Sequence, residues 1–512
     1  MRDPSAATET DFQVELPPGK EWLPFQPAGV EYALQRAATL IADPPGLGKT
    51  AQAFGVINAD DTINTVLIIC PAYLKAHWAR QYEEWCVADL TVGIAGSVKE
   101  KTVEDGKTKY RNTLKWPDTQ VVIVNYDLLP RFYKQIRAMT WDLLIADEAH
   151  YLTNVKAIRT KNIIGYRGGK KPDWIEPIQA RRKLFLTGTP LTARPVDLWP
   201  LLRVLDPKGL GADYMRFVRR YCDAKNNGFG LDVSGASNLE ELQQIMRKRF
   251  MVRRDKMTVL KDLPPKRRQI VPLPKAGLER ITEEELDAFQ RLLSAFERTL
   301  GRPPNQEEVW RWESLSAAIE DKFQNLSGLE YQEVVGRLGS DAEVAFEQMS
   351  KAREQLARAK VKMVVEYVNS LLDQGEKVVL FCVHKAVASA FYEQFGDSAV
   401  LVTGALQADK RQHAVDRFQT DPNCRTLIGN IQAAGTGFTM TAASHVVFAE
   451  FSWLPSDMEQ AEDRLWRIGQ QNDVTVHHLV VEDSLDAKMV RVLLERQEMI
   501  AKALDKRALR SQ

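Results

Sequence analysis

Residues 39–50 read Thr39-Leu40-Ile41-Ala42-Asp43-Pro44-Pro45-Gly46-Leu47-Gly48-Lys49-Thr50, an apolar run that feeds a glycine-rich loop and then an amphipathic helical pattern. Strand, loop and helix in that order make a phosphate cradle. Glycines let backbone N–H groups turn inward at a helix N-terminus, where the helix dipole also favours negative charge. Gly46, Leu47 and Gly48 are therefore expected to wrap phosphates, Lys49 to neutralise the β- and γ-phosphates of ATP, and the Thr50 hydroxyl to ligate Mg2+. Position 43 carries aspartate where the strict pattern asks for glycine.

A second stretch, Trp141-Asp142-Leu143-Leu144-Ile145-Ala146-Asp147-Glu148-Ala149-His150, delivers two carboxylates at the end of an apolar run. Ligands of open α/β sheets bind at the carboxyl ends of strands. Asp147 is expected to hold Mg2+ through water, and Glu148 to orient or deprotonate an attacking water. Such a pair is, by itself, more often a solvated turn; the phosphate loop upstream favours catalysis. In Gln460-Ala461-Glu462-Asp463-Arg464-Leu465-Trp466-Arg467, the two arginines sit three apart and would share one face of a helix. Arginines supplied from another lobe stabilise the charge spread over a transferring phosphoryl group, so turnover is expected to require lobe closure.

At 512 residues the chain exceeds one ordinary core. Apolar residues make up 44% and charged residues 27%, which excludes a disordered or fibrous chain. The longest apolar runs, such as Val66-Leu67-Ile68-Ile69-Cys70, are strand-sized rather than membrane-sized, and the N-terminus lacks the apolar centre of a signal peptide. Five scattered cysteines show no metal spacing and are expected to be free thiols in a reducing compartment. The pattern predicts a flexible lead-in over 1–20 and a parallel α/β unit over 21–206, with strands at Thr39–Ala42, Thr65–Cys70, Val121–Val124, Leu143–Ala146 and Lys183–Thr187. A mainly helical insertion follows over 207–360. A second α/β unit spans 361–483, with strands at Val378–Val383, Val400–Thr403, Thr426–Gly429, Val446–Ala449 and Val474–Val480, and a helical segment ends the chain over 484–512.

Net charge is only +1, yet Arg247–Arg268 holds ten Lys or Arg against two Asp. A surface that tracks nucleic-acid phosphates needs such local density, and a merely solvated face has it too. Trp310-Arg311-Trp312 is better explained by helix packing than by stacking on an unpaired base. His477-His478 has no partner at metal-ligand spacing. His150 fits either the ATP site or a structural hydrogen bond.

Taken in order, these blocks resemble the Swi/Snf-type ATPases of helicase superfamily two, and among them the HARP-like annealing-helicase branch. The resemblance runs from Trp22 to Leu504. It is carried by Pro24-Phe25-Gln26 with Gly29-Val30, Asp43 to Thr50, Cys70-Pro71-Ala72-Tyr73-Leu74 leading to Trp78, and Asn125-Tyr126-Asp127. The Asp147–His150 box, Leu186-Thr187-Gly188-Thr189-Pro190, Met251-Val252-Arg253-Arg254 and Leu263-Pro264-Pro265-Lys266 continue it. Ala433-Ala434-Gly435-Thr436-Gly437-Phe438 and Gln460 to Gln470 complete it. Aspartate at 43 is the family's usual choice, whereas Pro44-Pro45 stands where relatives commonly carry acidic or Met residues.

The resemblance implies two RecA-like parallel-sheet α/β lobes of the P-loop NTPase fold, with a mainly helical insertion between them and a bracing helix after the second. It implies that Gln26 reads adenine, that Gly437 joins the nucleotide site, and that Thr187, Thr189 and Gln460 couple ATP state to lobe movement. Asn125, Tyr126, Arg253, Arg254, Thr403, Gly404 and Gly435 are implied to face DNA or the lobe cleft. The function implied is an ATP- and Mg2+-dependent translocase on double-stranded DNA that remodels or reanneals branched DNA. It would act as a monomer in the cytoplasm, at a nucleoid or in an infected host, or in a nucleus if the source is eukaryotic. A strand-separating DNA or RNA helicase is the nearest rival, and a non-catalytic nucleic-acid adaptor the rival from another class.

Overall fold

The computed structural model describes residues 4–491, except 105–106, 156, 168–173, 192–193, 227–230, 234, 301–302, 304–347, 435–437 and 453–454. Gly435, Gly437 and Trp310-Arg311-Trp312 lie outside the described residues. Two compact units form: one holds residues up to 225 together with 235–261, the other 226–234 and 262–499.

The first unit is a seven-stranded sheet in the order Met251–Val252, Ala38–Ile41, Ala180–Leu186, Trp141–Asp147, Val66–Cys70, Val121–Asn125, Val92–Ile94. Every pairing in it is parallel. Strands such as Val66–Cys70 and Val121–Asn125 are buried at every position, as a sheet covered by helices on both faces requires. The second unit repeats this plan in a six-stranded parallel sheet ordered Lys266–Leu273, Val474–Val481, His445–Phe448, Val378–Cys382, Thr426–Asn430, Ala399–Val402. All its pairings are parallel as well. Both sheets therefore have the doubly covered α/β form expected, and the ten expected strands are present.

Three features differ from expectation. The segment 207–360, expected to be mainly helical, also contributes strands in its described residues. Alongside the helices Tyr214–Tyr221, Leu239–Arg249 and Glu279–Leu300, it supplies an edge strand to each sheet, Met251–Val252 to the first and Lys266–Leu273 to the second. The lead-in is not loose over its described part. Ser5 is fully buried, its carbonyl accepts from Arg253 N at 3.1 Å, and the Ala7 carbonyl accepts from Arg254 Nε at 2.8 Å. Buried arginine donors need acceptors, and these carbonyls provide them. An antiparallel hairpin, Gly96–Glu104 with Lys107–Lys115, also branches from the first unit.

In the second unit the edge strand Lys266–Leu273 is fastened by charge. Glu462, with no exposed surface, takes Lys266 Nζ at 2.8 Å and Arg268 Nη2 at 2.6 Å. A second buried group lies where the helix Glu279–Leu300 meets residues 485–491. Lys360 pairs with Asp486, and Glu285 accepts the Leu485 N–H at 3.0 Å. Burial and the Asp486 charge push the Glu285 carboxyl above its ordinary value. All five cysteines are free thiols, and no described helix is long and apolar enough to cross a membrane.

Removing one member of a buried ion pair strands the other. Lys360→Met is accordingly expected to lower the unfolding free energy by about 3–5 kcal/mol. Urea unfolding of the full chain measures it, and a loss below about 1 kcal/mol, the scale of an exposed pair, contradicts the assignment. Glu462 makes a pH prediction. Burial pushes its carboxyl up, but the charges of Arg268 and Lys266 prevail and hold it at about 2, against an ordinary 4.5. Because the folded value is the lower one, its stabilisation is complete above the ordinary value and is lost as pH falls towards the folded one. Acid titration of stability should show this limb in the native chain and not in Glu462→Gln.

Candidate active site

Gly46 at φ 86° and Gly48 at φ 74° turn the loop through the left-handed region, which explains glycine at both positions. Gly48 has a second reason. A Cβ there would fall 2.3 Å from Gln26 Nε2, which donates to the Leu47 carbonyl at 3.2 Å. Gln26 Oε1 in turn accepts from Leu23 N at 3.0 Å, so the side chain is fixed against the loop. Lys49 opens the helix Lys49–Ala59, followed by Thr50, and its Nζ rests on the Asp43 carbonyl at 2.9 Å.

Asp43 is itself fully buried. Its Oδ1 accepts from Arg254 N at 3.0 Å; its Oδ2 accepts from Arg254 Nη1 at 2.6 Å and Gln52 Nε2 at 3.0 Å. The neighbouring Arg253 donates Nη1 to the carbonyls of Ala42 at 2.9 Å and Gly188 at 3.1 Å. Gly188 also sits against Pro45, where a Cβ would come within 2.6 Å of the proline Cδ. Pro45 thus gives the loop a rigid face against the turn that follows Leu186.

Asp147 ends its strand with every oxygen engaged. Oδ2 accepts from Trp78 Nε1 at 2.8 Å, Oδ1 from Glu148 N at 2.9 Å, and the carbonyl from Tyr126 OH at 2.6 Å. Burial pushes its carboxyl above the ordinary value and the Glu148 charge adds to the push, with Trp78 and Lys49 opposing. Glu148 has φ 51°, a left-handed conformation rare for a residue with a side chain and a mark of functional strain. His150 Nδ1 lies 3.1 Å from Glu148 Oε2 and 3.2 Å from Thr187 Oγ1, and Thr187 Oγ1 accepts from Thr189 N at 3.1 Å. His150 therefore joins the acidic pair to the Thr187–Thr189 turn. Oxygen donors from a hydroxyl, Thr50, and a carboxylate, Asp147, suit Mg2+, which completes its shell with water and substrate phosphate.

In the second unit the helix Pro455–Glu462 ends before the arginines, so Arg464 and Arg467 stand in the following turns rather than on one helical face. Arg464 Nε donates to the carbonyl of buried Gln460 at 3.2 Å, and Arg467 Nη1 to the Phe438 carbonyl at 3.2 Å. Burial and the Arg464 charge draw Arg467 down to about 10. The segment leading to the edge strand holds this turn. Trp466 Nε1 donates to the Pro264 carbonyl at 2.7 Å, Lys266 reaches Asp463 at 3.2 Å and lies 4.6 Å from the Trp466 ring centroid, and Glu462 takes both cations described above.

The expected DNA contacts fare differently. Arg253 and Arg254 are 5% and 1% exposed, and their side chains point into the first unit, Arg253 bonded to the Ala42 and Gly188 carbonyls and Arg254 to Asp43 and the Ala7 carbonyl. Tyr126 is buried beneath Asp147, and Asn125, also buried, turns Nδ2 towards Asp127 at 3.4 Å. Thr403 is buried, whereas Gly404 is exposed with open space around it. Other cations of the basic run are likewise paired: Arg249 with Asp206 at 2.7 Å and Arg267 with Asp473 at 3.5 Å. The signal for this was present in Asp43. A charge inside a buried loop requires a buried partner. His477, expected not to hold metal, contacts Gln269, Tyr367 and His445.

Comparison with known proteins places these groups in a family. Residues 25–282 match the model of the SNF2-related domain, and residues 359–469 that of the helicase conserved C-terminal domain. The chain is 31% identical to the mouse DNA annealing helicase and endonuclease ZRANB3 over 98% of its own length and 42% of the relative's. It is 29% identical to the Xenopus tropicalis SWI/SNF-related matrix-associated actin-dependent regulator of chromatin subfamily A-like protein 1, over 96% of its length and 46% of the relative's. The chain thus spans less than half the length of these curated relatives. Among solved structures it matches the Sulfolobus solfataricus SWI2/SNF2 ATPase core in complex with dsDNA, at TM-score 0.40 and 19% identity, covering 98% of this chain and 99% of that one. The chain belongs to the SNF2-related family of helicase-like proteins.

Proposed function

We propose that the chain is a DNA-stimulated ATPase that moves along double-stranded DNA and remodels or reanneals branched DNA. The observation that carries the ATPase reading is the single connected set in the first unit: the Gly46–Thr50 cradle, the Asp147–Glu148 pair, and His150 between Glu148 and Thr187. Lys49 leaves the Asp43 carbonyl to engage the β- and γ-phosphates. Gln26 reads the adenine, and Thr50 and Asp147 hold Mg2+. Bound there, Mg2+ would supply charge to the phosphate oxygens and orientation to the transferring group. Glu148 aligns the attacking water and accepts its proton. Arg464 and Arg467, the second crowded by the charge of the first, supply the cations that the transferring group requires, and Gly437 joins the nucleotide site as the resemblance implies. Loss of the γ-phosphate changes what Glu148 faces, and His150 passes that change to Thr187 and Thr189; Gln460, bonded to Arg464, does the same in the second unit.

The DNA part of the proposal leans on the relatives named annealing helicases and on the shared SNF2-related domain. Of the positions that the resemblance implies, the exposed Gly404 is proposed to meet the DNA backbone, together with Thr403 and Gly435. Contacts to phosphates give binding that weakens steeply with salt and is largely indifferent to sequence. The chain is proposed to act as a monomer at a nucleoid, in host cytoplasm or in a nucleus.

Phosphate release measured with duplex, forked and single-stranded DNA and with RNA, using Lys49→Ala as the blank, tests this. Duplex or forked DNA should stimulate most; stimulation by single strands or RNA alone would favour the strand-separating helicase. Glu148→Gln should keep ATP and DNA binding while turnover falls about a hundredfold or more, and normal turnover there removes the base assignment.

A further inference from the structure

The run Arg247–Arg268 has the composition of a phosphate-binding surface, yet five of its ten cations, Arg247, Arg253, Arg254, Lys256 and Lys266, turn their side chains inward. Its first half reaches the phosphate loop of the first unit; its second half reaches the arginine turn of the second. We infer that this segment positions the phosphate loop within the first unit and the arginine turn within the second: Arg254, with Gln52, sets the loop through Asp43, and Lys266, with Arg268, sets Arg464 and Arg467 through Glu462 and Asp463. The inference rests on the ATPase reading of those groups.

Register makes the first connection. Ile41 pairs with Val252 in parallel strands, so two residues further along Asp43 meets Arg254. The backbone bond from Ala42 N to the Val252 carbonyl at 2.7 Å continues the ladder up to that point. Asp43 then performs two tasks with different atoms. Its carboxylate is fixed by Arg254 and Gln52, and its carbonyl is the resting partner of Lys49. Moving Arg254 therefore moves the point from which Lys49 departs. Gly29 keeps room for this arrangement, since a Cβ there would fall 2.0 Å from Gln52 Oε1 and 3.2 Å from Arg254 Nη2.

The second connection is made immediately before Arg464. Glu462 and Asp463 are held by Lys266 and Arg268, and Trp466 by the Pro264 carbonyl, so the turn bearing Arg464 and Arg467 is gripped on both sides of Arg464. A site of this kind tolerates displacements of only about 0.5 Å. The two connections serve different steps, the loop binding nucleotide and the arginines stabilising transfer. Disturbing them should therefore separate in KM and kcat.

The test titrates a fluorescent ATP analogue without DNA and measures steady-state phosphate release, basal and with duplex DNA. Gln52→Leu and Arg254→Lys should raise the analogue's Kd and the KM for ATP about tenfold, with kcat within about twofold, because leucine removes the amide bond to Asp43 Oδ2, and lysine keeps the charge and the backbone N–H bond but cannot reach Asp43 Oδ2 and the Ala7 carbonyl together as the guanidinium does. Arg268→Met should lower kcat about tenfold and leave the Kd unchanged. Thermal melting establishes that each variant folds, and Arg268→Lys replaces Arg268→Met if the latter does not. Native KM and kcat in all folded variants would overturn the inference. So would loss of duplex binding with intact ATP binding, which would return the segment to DNA. Because the Kd and basal arms need no DNA, a chain that duplex DNA fails to stimulate would lose the proposed translocase role while the KM–kcat split is still decided.

Discussion

Asp43 places a carboxylate where no water reaches it, and the first unit is arranged around neutralising that charge. An isolated ion in such surroundings costs several kcal/mol, so it persists only with close partners that satisfy its lone pairs. Arg254 gives two of the three hydrogen bonds and Gln52 the third. The rest follows from that demand. Bringing Arg254 into place makes Met251–Val252 an edge strand beside Ala38–Ile41. Satisfying Arg253 and Arg254 in turn draws the Ser5 and Ala7 carbonyls onto the unit, and the space needed beside Gln52 leaves position 29 without a side chain.

The two units share a second logic, with the sign reversed. Asp147 is burdened by burial and by Glu148, and Arg467 by burial and by Arg464. Each unit therefore keeps two like charges closer than they would choose, held by partners that do not cancel them. Such pairs gain most from a counter-ion: a cation relieves the acids, and a phosphate relieves the arginines. The nucleotide and metal ion proposed above carry these two signs. Binding can thus draw on strain already present in the free protein, including the left-handed backbone at Glu148.

The inner strands were legible because burial on both faces makes them continuous apolar runs; Val66–Cys70 and Val378–Cys382 lie where the sequence puts them, to within a residue. The edge strands were not. Met251–Val252 is two residues long, between Phe250 and Arg253, and Lys266–Leu273 opens with three cations, so neither is long or apolar enough to carry a strand period. The hairpin Gly96–Lys115 is similarly polar in composition. The phosphate loop and acidic pair were legible as local strings. His150 bridging Glu148 and Thr187 was not, because its second partner lies 37 residues away. The partners of the buried members of the basic run were hidden for a related reason. Charge density is visible in a sequence, but Asp43 and Glu462 stand about two hundred residues from Arg254 and Arg268.

That separation has a consequence for how the chain is made. Arg254 is synthesised 211 residues after Asp43. Until it leaves the ribosome, Ala38–Ile41 is an unpaired sheet edge and the loop's carboxylate has no guanidinium. Closing so long a loop is slow, and an open edge invites pairing with the wrong strand. The nascent first unit therefore carries an open edge and an unneutralised carboxylate up to about this point, and a chain cut before residue 254 has the phosphate-loop sequence without the guanidinium that Asp43 binds.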